Sequence, residues 1–287
     1  MKYSFFGTPK FAEVILRKLI KNNMKPHVVV CNPDRPVGRD QVMTPPPTKV
    51  VAAEHDILVW QPEELDASKF DVLKTNDIFV VAAYSKIIPK KILEIPKQGA
   101  IGVHPSLLPK YRGATPIRSA ILAGEEKTGA SLYKMDEKMD HGPVITQREI
   151  NIDDKDYLTL KQELAETGAD LFVNNIQGYL EGELTPQEQN HDKATFTKKF
   201  SSDDAYVKPQ DLTKAIEEGG EEVKKIYNMI RSLNPEPGVW TKLEKPYKGL
   251  PKEKRVKLLQ SKIEEEKLVL TKIHVAGKTA REVNIHS

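Results

Sequence analysis

Cysteine, long apolar runs and net charge are all scarce in this chain of 287 residues. Its one cysteine, Cys31, cannot form an internal disulfide or a cysteine-based zinc site, so a reducing cytoplasm is the simplest location. No run of about 18 apolar residues occurs, which excludes a membrane-spanning helix. Gly7, Pro9 and several charged residues interrupt the N-terminal stretch, which is therefore not typical of a signal peptide. The net charge of +3 does not by itself indicate a nucleic-acid partner.

The first half of the chain alternates short apolar runs with longer amphipathic stretches. Apolar strands separated by crossovers of roughly 15 residues are typical of a parallel sheet covered on both faces by helices. We therefore predict a doubly wound, mostly parallel α/β domain over residues 1–185, with a last strand at Val144–Ile150 and a long helix at Asp156–Glu181. The five other predicted strands are Tyr3–Phe6, His27–Cys31, Ile78–Ala83, Ala100–His104 and Ala130–Met135.

The second half has a different composition, and the total length suggests about two domains. Residues 186–204 contain few large apolar side chains and are predicted to be a linker. Residues 205–287 are predicted to form a small β-rich domain with one helix, Glu221–Leu233. This domain is basic, with 17 lysine and arginine residues against 12 aspartate and glutamate residues. Its predicted strands are Val239–Leu243, Val256–Leu259 and Leu268–Val275.

Two loops follow predicted strands, at the sheet edge where open α/β folds bind ligands. Phe6–Pro9 places a glycine in a tight turn and a proline in the first turn of a helix, whose N-terminus attracts anions. It lacks further glycines at dinucleotide spacing, so nicotinamide or flavin binding has little support, and a plain βα turn is the alternative. Asn32–Arg39, with Thr44–Pro47 after it, is rich in proline and carries two arginines. A solvated loop without a ligand is the alternative there.

The densest group of reactive residue types surrounds His104. This histidine ends a predicted buried strand, where it is either a core residue with satisfied hydrogen bonds or a catalytic group. Asp140 lies in a turn after another predicted strand, and if the two strand ends are neighbours, Asp140 can hold His104. Such a pair beside a carbonyl is suited to proton movement and oxyanion stabilisation. A metal site that includes His141 lacks the usual ligand spacing, and a hydrolase built on Ser106 lacks the GxSxG turn.

Several motifs along the chain resemble those of the 10-formyltetrahydrofolate-dependent formyltransferase family. The HxSLLPxxRG pattern with a distant aspartate turn is similar to that of family members acting on glycinamide ribonucleotide, amino sugars or methionyl-tRNA. PDRPxGR, TPPPxK and NPxPG are more specific to the methionyl-tRNA formyltransferases. The matching segments here are FFGTPKFA, NPDRPVGR, TPPPTK, VHPSLLPKYRGATPI, the Asp136–Pro143 turn and RSLNPEPGVW.

This resemblance implies a reaction and a fold. The reaction is formyl transfer from 10-formyltetrahydrofolate, as co-substrate, to the α-amino group of methionyl-initiator-tRNA, by a cytoplasmic monomer without a metal. The fold is a Rossmann-like catalytic domain followed by a small OB-like β-barrel that binds tRNA. By similarity, His104 stabilises the tetrahedral oxyanion and shuttles the proton, and Asp140 orients His104 and tunes its charge.

The resemblance also implies binding residues. Ser106, Leu107, Leu108 and Pro109 match the segment that contacts tetrahydrofolate, and Arg39 matches a basic residue that approaches the acceptor end of the tRNA. A positive groove in an OB-like domain tracks phosphates, and a solvated lysine-rich loop is the alternative. The candidate phosphate contacts are Lys242, Lys245, Lys248, Lys252, Lys254, Arg255 and Lys257.

Three departures from the family pattern stand out. Gly102 occupies the position of an asparagine whose amide would hydrogen-bond the formyl oxygen or the amine, and losing one such donor costs roughly two to three orders of magnitude in rate. A water in the space beside Gly102 is a partial substitute. Asp40–Val42 replaces a basic stretch, and the chain after Trp240 is short, so we expect a trimmed barrel. The alternatives are a formyltransferase for a small amine, such as an amino sugar or nucleotide, and a catalytically impaired folate- or tRNA-binding relative.

Overall fold

The computed structural model describes residues 1–38, 40–66 and 73–287. Arg39, the predicted tRNA-binding residue, lies outside the described residues. The helices are α1 (Lys10–Lys21), α2 (Pro47–Glu54), α3 (Lys90–Leu93), α4 (Pro116–Ala123), α5 (Tyr157–Leu180), α6 (Pro209–Glu217) and α7 (Glu221–Leu233). The strands are β1 (Tyr3–Gly7), β2 (Val28–Val30), β3 (Arg35–Val37), β4 (Val42–Thr44), β5 (Leu58–Trp60), β6 (Ile78–Ala82), β7 (Ala100–His104), β8 (Arg112–Gly113), β9 (Lys127–Lys134), β10 (Val144–Asn151), β11 (Phe196–Thr197), β12 (Trp240–Lys242), β13 (Arg255–Glu264), β14 (Lys267–Val275) and β15 (Arg281–Ile285).

The chain folds into two compact units that interleave along the sequence. The first contains Met1–Gly113, Lys127–Asn151 and Lys161–Phe196, and the second contains the remaining segments, Ala114–Glu126, Ile152–Leu160 and Thr197–Ser287. Residues 186–204, the predicted linker, divide between the two units after Phe196. The predicted domain limits at residues 185 and 205 therefore stay a prediction. No helix within the described part of the chain is long and apolar enough to span a membrane.

The first unit is built on a seven-stranded sheet in the order β10-β9-β7-β6-β1-β2-β5. The five strands from β7 to β5 are parallel, and their side chains are mostly buried. The sequence predicts four of these strands, and β5, whose side chains are exposed or half-buried, is an additional one. β9, the strand predicted at Ala130–Met135, pairs antiparallel with both β7 and β10, so the sheet is mostly parallel, as predicted, but not parallel throughout. An apolar run indicates that a strand is buried on both faces, but the run looks the same in either direction.

The carboxyl edge of this sheet carries the glycine- and proline-rich motifs. The strand order reverses between β1 and β6, which is the switch point where open α/β sheets bind ligands. At the end of β1, a Cβ added to Gly7 would lie 2.8 Å from the carbonyl oxygen of Ala82, so only glycine fits there. The backbone oxygen of Gly7 accepts a hydrogen bond from Thr48 Oγ1 at 2.8 Å, which ties the TPPPTK segment to the first turn.

The second unit contains a four-stranded antiparallel sheet in the order β12-β13-β14-β15. The predicted helix at Glu221–Leu233 is confirmed as α7, and the three predicted strands correspond to β12, β13 and β14. α6 and β15 are additional elements. The side chains of β15 are largely exposed, so they carry little apolar signal in the sequence. In place of the expected trimmed barrel, the described residues form a sheet with β12 and β15 at its two ends. Its core includes Leu212, Ile216, Ile226, Leu258, Leu270 and Ile273.

Candidate functional site

His104 lies at the carboxyl end of β7, and its side chain is buried. Its Nε2 is 2.9 Å from the backbone oxygen of Tyr111. A carbonyl oxygen can only accept a hydrogen bond, so Nε2 must carry the hydrogen and donate it. This leaves Nδ1 to face Asp140, whose Oδ1 lies 3.6 Å away.

Asp140 is held in place from several sides. It adopts a left-handed backbone conformation with φ of 50°, which aspartate tolerates better than most residues. Its Oδ2 accepts a hydrogen bond from the backbone nitrogen of Gly113 at 2.7 Å, and its Oδ1 accepts one from the Tyr133 hydroxyl at 2.8 Å. The carboxylate is therefore oriented by two donors, and one of its oxygens faces His104.

The chain brings His104 and Asp140 together by a different route from the predicted one. The sequence places both groups after neighbouring strand ends at one edge of the sheet. β7 and β9 run antiparallel, with Ile101 opposite Lys134 and His104 opposite Ser131, so their carboxyl ends lie at opposite edges. The turn after Lys134 returns Asp140 alongside β9. A strand pattern cannot predict this return, because the turn's path depends on its tertiary contacts.

Gly102 faces the ring of Tyr133 directly across the β7–β9 pair. A Cβ built on Gly102 would lie 2.5 Å from Cζ and 2.8 Å from the hydroxyl oxygen of Tyr133, and closer still to Cε1. The space beside Gly102 is thus filled by this ring, where the sequence predicts room for water. Burial raises the pKa of Tyr133 well above its usual value, and Asp140 raises it further. The phenol therefore stays protonated and donates to Asp140.

The predicted folate-binding segment follows His104 and divides into two kinds of residue. Ser106 and Leu108 are buried, whereas Leu107 and Pro109 are half-buried. The Ser106 hydroxyl donates to the backbone oxygen of Lys110 at 2.6 Å. This hydroxyl therefore fastens the loop and is not a free nucleophile.

Ser131 on β9 anchors this loop. It belongs to none of the sequence motifs, so the sequence did not identify it. Its hydroxyl donates to the backbone oxygen of Ser106 at 2.6 Å and accepts from the backbone nitrogen of Leu108 at 3.1 Å. It also accepts from Gln147 Nε2 at 2.7 Å. The hydroxyl's one hydrogen and both its lone pairs are therefore used.

Gln189 is a second residue that the sequence did not indicate, because it lies in the predicted linker. It is buried, and its Nε2 donates to the backbone oxygens of Asp140 at 3.0 Å and Gly142 at 2.7 Å. Its Oε1 accepts from Arg112 Nη2 at 2.6 Å. The turn that carries Asp140 is thus fastened through its backbone as well as through the carboxylate.

The metal alternative has no support in the described residues. Among residues 1–38, 40–66 and 73–287, no group of three or more His, Cys, Asp or Glu side chains is arranged to hold a metal ion. His141 Nδ1 lies 2.7 Å from Asp136 Oδ2, and the His141 ring stacks on His191 at 4.1 Å. Both contacts of His141 are therefore with other side chains of the protein and need no metal.

The predicted acceptor loop is an exposed hairpin formed by β3 and β4. Asp34, just before it, accepts hydrogen bonds at 2.8 Å from Lys49 of the TPPPTK segment and from Gln61. These two partners lower the pKa of Asp34. The aspartate of the NPDRPVGR motif therefore fastens the base of the hairpin. Val37, Val42 and Met43 project from the hairpin with more than half of their surface exposed.

The predicted cationic run lies in the second unit, around β12 and β13. Six of its side chains are exposed and Lys257 is half-buried. Lys242 and Arg255 are direct partners across the β12–β13 pair. Like charges placed directly opposite each other repel, so this pair favours an anion nearby. Arg255 also stacks its guanidinium 4.1 Å from the centre of the Trp240 ring.

The chain is similar in sequence to formyltransferases. The formyl transferase family matches residues 1–176, and the formyl transferase C-terminal domain family matches residues 220–283. A methionyl-tRNA formyltransferase from Halalkalibacterium halodurans is 41% identical over 245 residues, which are 84% of this chain and 74% of that protein.

Solved structures share the fold at lower identity. A crystal structure of WlaRD, a sugar 3N-formyl transferase, in the presence of dTDP and 5-N-formyl-THF has a TM-score of 0.63 and 17% identity, covering 97% of this chain and 99% of that one. A methionyl-tRNA formyltransferase from Clostridium thermocellum has a TM-score of 0.60 and 18% identity, covering 96% of this chain and 98% of that one.

Proposed function

Because this chain belongs to the formyl transferase family, we propose that it transfers a formyl group from 10-formyltetrahydrofolate to the α-amino group of methionyl-initiator-tRNA. The choice of acceptor rests on relatives named methionyl-tRNA formyltransferase, which are 41–42% identical over 84–85% of the chain. The choice of donor rests on the family and on the SLLP segment beside His104. The enzyme works as a monomer in the cytoplasm, without a metal.

The observation that carries the chemistry is the pair formed by buried His104 and half-buried Asp140, whose Nδ1 and Oδ1 atoms lie 3.6 Å apart. In the reaction, the amine nitrogen attacks the formyl carbon, and the formyl oxygen becomes an oxyanion in the tetrahedral intermediate. The bond from the formyl carbon to N10 of the folate then breaks, N10 gains a proton and the former amine nitrogen loses one. Preorganised donors aimed at the developing oxyanion supply much of the rate in such reactions.

His104 has the hydrogen that this step requires. Its Nε2–H donates to the backbone oxygen of Tyr111, and turning this N–H from that carbonyl to the formyl oxygen would stabilise the oxyanion. As the bond to N10 breaks, Nε2 passes its hydrogen to N10 and takes up the proton that the former amine nitrogen loses, so the imidazole ends the step as it began; this is general acid–base catalysis. Asp140 keeps the ring oriented from the Nδ1 side.

Binding of the two substrates is assigned to separate segments. Leu107 and Pro109 are half-buried and contact the folate, while buried Ser106 and Leu108 fix the loop that presents them. Arg39 is assigned to the acceptor end of the tRNA. The exposed cations of the second unit bind tRNA phosphates: Lys242, Lys245, Lys248, Lys252, Lys254, Arg255 and the half-buried Lys257.

A formylation assay with 10-formyltetrahydrofolate and charged initiator tRNA tests this function. We expect formylmethionyl-tRNA with the wild-type chain and a loss of about 10²–10⁴-fold in kcat with His104→Ala. Charged elongator tRNA and a nucleotide-linked amino sugar serve as competing acceptors in parallel reactions. Turnover only with the amino sugar would show that a small amine, and not tRNA, is the acceptor. Binding of both substrates without turnover would show that the chain is a folate- and tRNA-binding protein and not an active transferase.

A further inference from the structure

Gly102 and Tyr133 form a matched pair across β7 and β9. They are direct register partners, and successive residues of a strand point to opposite faces, so Gly102 and His104 share one face of β7. The Tyr133 ring lies over Gly102, and its hydroxyl oxygen would be 2.8 Å from a Cβ built there. Any side chain at position 102 would therefore have to displace the ring.

The Tyr133 hydroxyl reaches the carboxylate oxygen that faces His104. It donates to Asp140 Oδ1 at 2.8 Å, and this same oxygen is the one 3.6 Å from His104 Nδ1. Tyr133 is only 4% exposed, so water does not compete for its hydroxyl. The hydroxyl therefore sets the position of one specific atom in the candidate site.

We propose that Tyr133 is a positioning residue for formyl transfer, which holds Asp140 Oδ1 toward His104, and that residue 102 is glycine because the phenol ring occupies its side-chain space. This inference rests on the proposed function. In the family that the chain resembles, an asparagine on the histidine's own strand stands at position 102. Here the neighbouring strand supplies a hydroxyl that bonds to Asp140 Oδ1, the carboxylate oxygen that faces His104.

The other contacts of Asp140 predict how the enzyme responds when the hydroxyl is removed. Gly113 still donates to Oδ2, and Gln189 still holds the backbone of the turn. The turn should therefore keep its fold, while Oδ1 is free to rotate away from His104. The loss is expected in the chemical step and not in substrate binding.

Tyr133→Phe tests this role by removing the hydroxyl and keeping the ring. We expect kcat to fall by about 10- to 100-fold, a fraction of the effect of a complete general acid–base catalyst, with KM for donor and tRNA within about twofold of wild type. Tyr3→Phe is the matched control, since Tyr3 is also buried in the sheet and its hydroxyl donates to the backbone oxygen of Met24. The control should keep the wild-type kcat even if it lowers the Tm.

A double-mutant cycle separates a role through Asp140 from a general packing role. In an Asp140→Asn background, measured by single turnover, Tyr133→Phe should lower the rate by less than about twofold. An equal loss in both backgrounds would contradict the proposed action through Asp140.

The glycine half of the inference is tested by stability, independently of activity. Gly102→Ala should lower the Tm by several degrees in the wild-type background, because its Cβ overlaps the Tyr133 ring. In the Tyr133→Ala background the same change should lower the Tm by much less. Equal losses in the two backgrounds would show that the ring does not require the glycine.

The outcomes distinguish the inference from the function on which it rests. A wild-type chain without formyl transfer to any acceptor refutes the proposed function and, with it, the positioning role. An active wild-type chain whose Tyr133→Phe variant keeps kcat within twofold refutes the positioning role alone.

Discussion

Replacing Ser131 by alanine should destabilise the loop that follows His104. The change removes the hydroxyl that accepts from Leu108 N at 3.1 Å, accepts from Gln147 Nε2 at 2.7 Å and donates to Ser106 O at 2.6 Å. The Ser106 hydroxyl does not replace these contacts, because it is already bonded to the backbone oxygen of Lys110.

The expected size of the effect follows from what is left unpaired. The Leu108 amide becomes a buried donor without a partner, at about 1–3 kcal/mol, and the Ser106 carbonyl loses a bond worth about 0.5–1.5 kcal/mol. Gln147 is exposed and can turn to water, so its loss adds little. The sum is about 1.5–4.5 kcal/mol, which corresponds to a fall in Tm of about 3–18 °C for a unit of this size.

Thermal unfolding of Ser131→Ala beside a matched serine variant measures this. Ser4→Ala is the control, because Ser4 is equally buried in the same sheet but its hydroxyl makes one long bond, to Asn76 Oδ1 at 3.3 Å. The control should lose about 1 kcal/mol or less. In activity assays, Ser131→Ala should raise KM for 10-formyltetrahydrofolate more than it lowers kcat, since the loop presents Leu107 and Pro109. Equal stability of the two serine variants would refute this account of the loop.

Three further predictions follow from other parts of the structure. Lys242→Glu and Arg255→Glu should each weaken tRNA binding and reduce the slope of log K against log salt by about one phosphate contact. Lys262→Glu, on the same strand as Arg255, should leave the slope unchanged, and the same slope in all three variants would show that the cationic run does not contact tRNA. Burial raises the pKa of Cys31 to about 11, so only about 0.1% of this side chain is thiolate at pH 8. Iodoacetamide should therefore label the native protein far more slowly than the unfolded protein, and fast labelling of the native protein would contradict this. Gln189→Leu should lower kcat, because it removes two hydrogen bonds to the Asp140 turn, and should leave tRNA affinity unchanged. Turnover assays measure kcat and filter binding measures the affinity, and an unchanged kcat would show that Gln189 does not support Asp140.

Gly102 has a different meaning once Tyr133 is considered with it. From the sequence, a glycine at this position suggests a missing hydrogen-bond donor and an impaired enzyme. With the phenol ring filling the space and its hydroxyl bonded to Asp140, Gly102→Asn alone is expected to clash and not to restore a donor. A gain in rate from this single change would contradict the packing described for the site.

The amino-acid sequence by itself determined the features that depend on local pattern. Apolar runs predicted the buried strands of the first unit, and helical periodicity predicted Glu221–Leu233, which is α7. His104 and Asp140 were identified as candidates because a histidine at a strand end and an aspartate in a turn are visible in the chain. Burial and periodicity are properties of a few consecutive residues, so one sequence contains them.

Only the tertiary structure decided which strands run antiparallel and which side chains meet. The reversed direction of β9 places Tyr133 opposite Gly102, and Gln189, from a stretch predicted to be a linker, reaches the backbone of Asp140. These contacts join residues far apart in the chain, and each depends on strand register and on the path of a turn. The hydrogen bonds and close packing that select such a register act between segments, so the local pattern of either segment does not contain them.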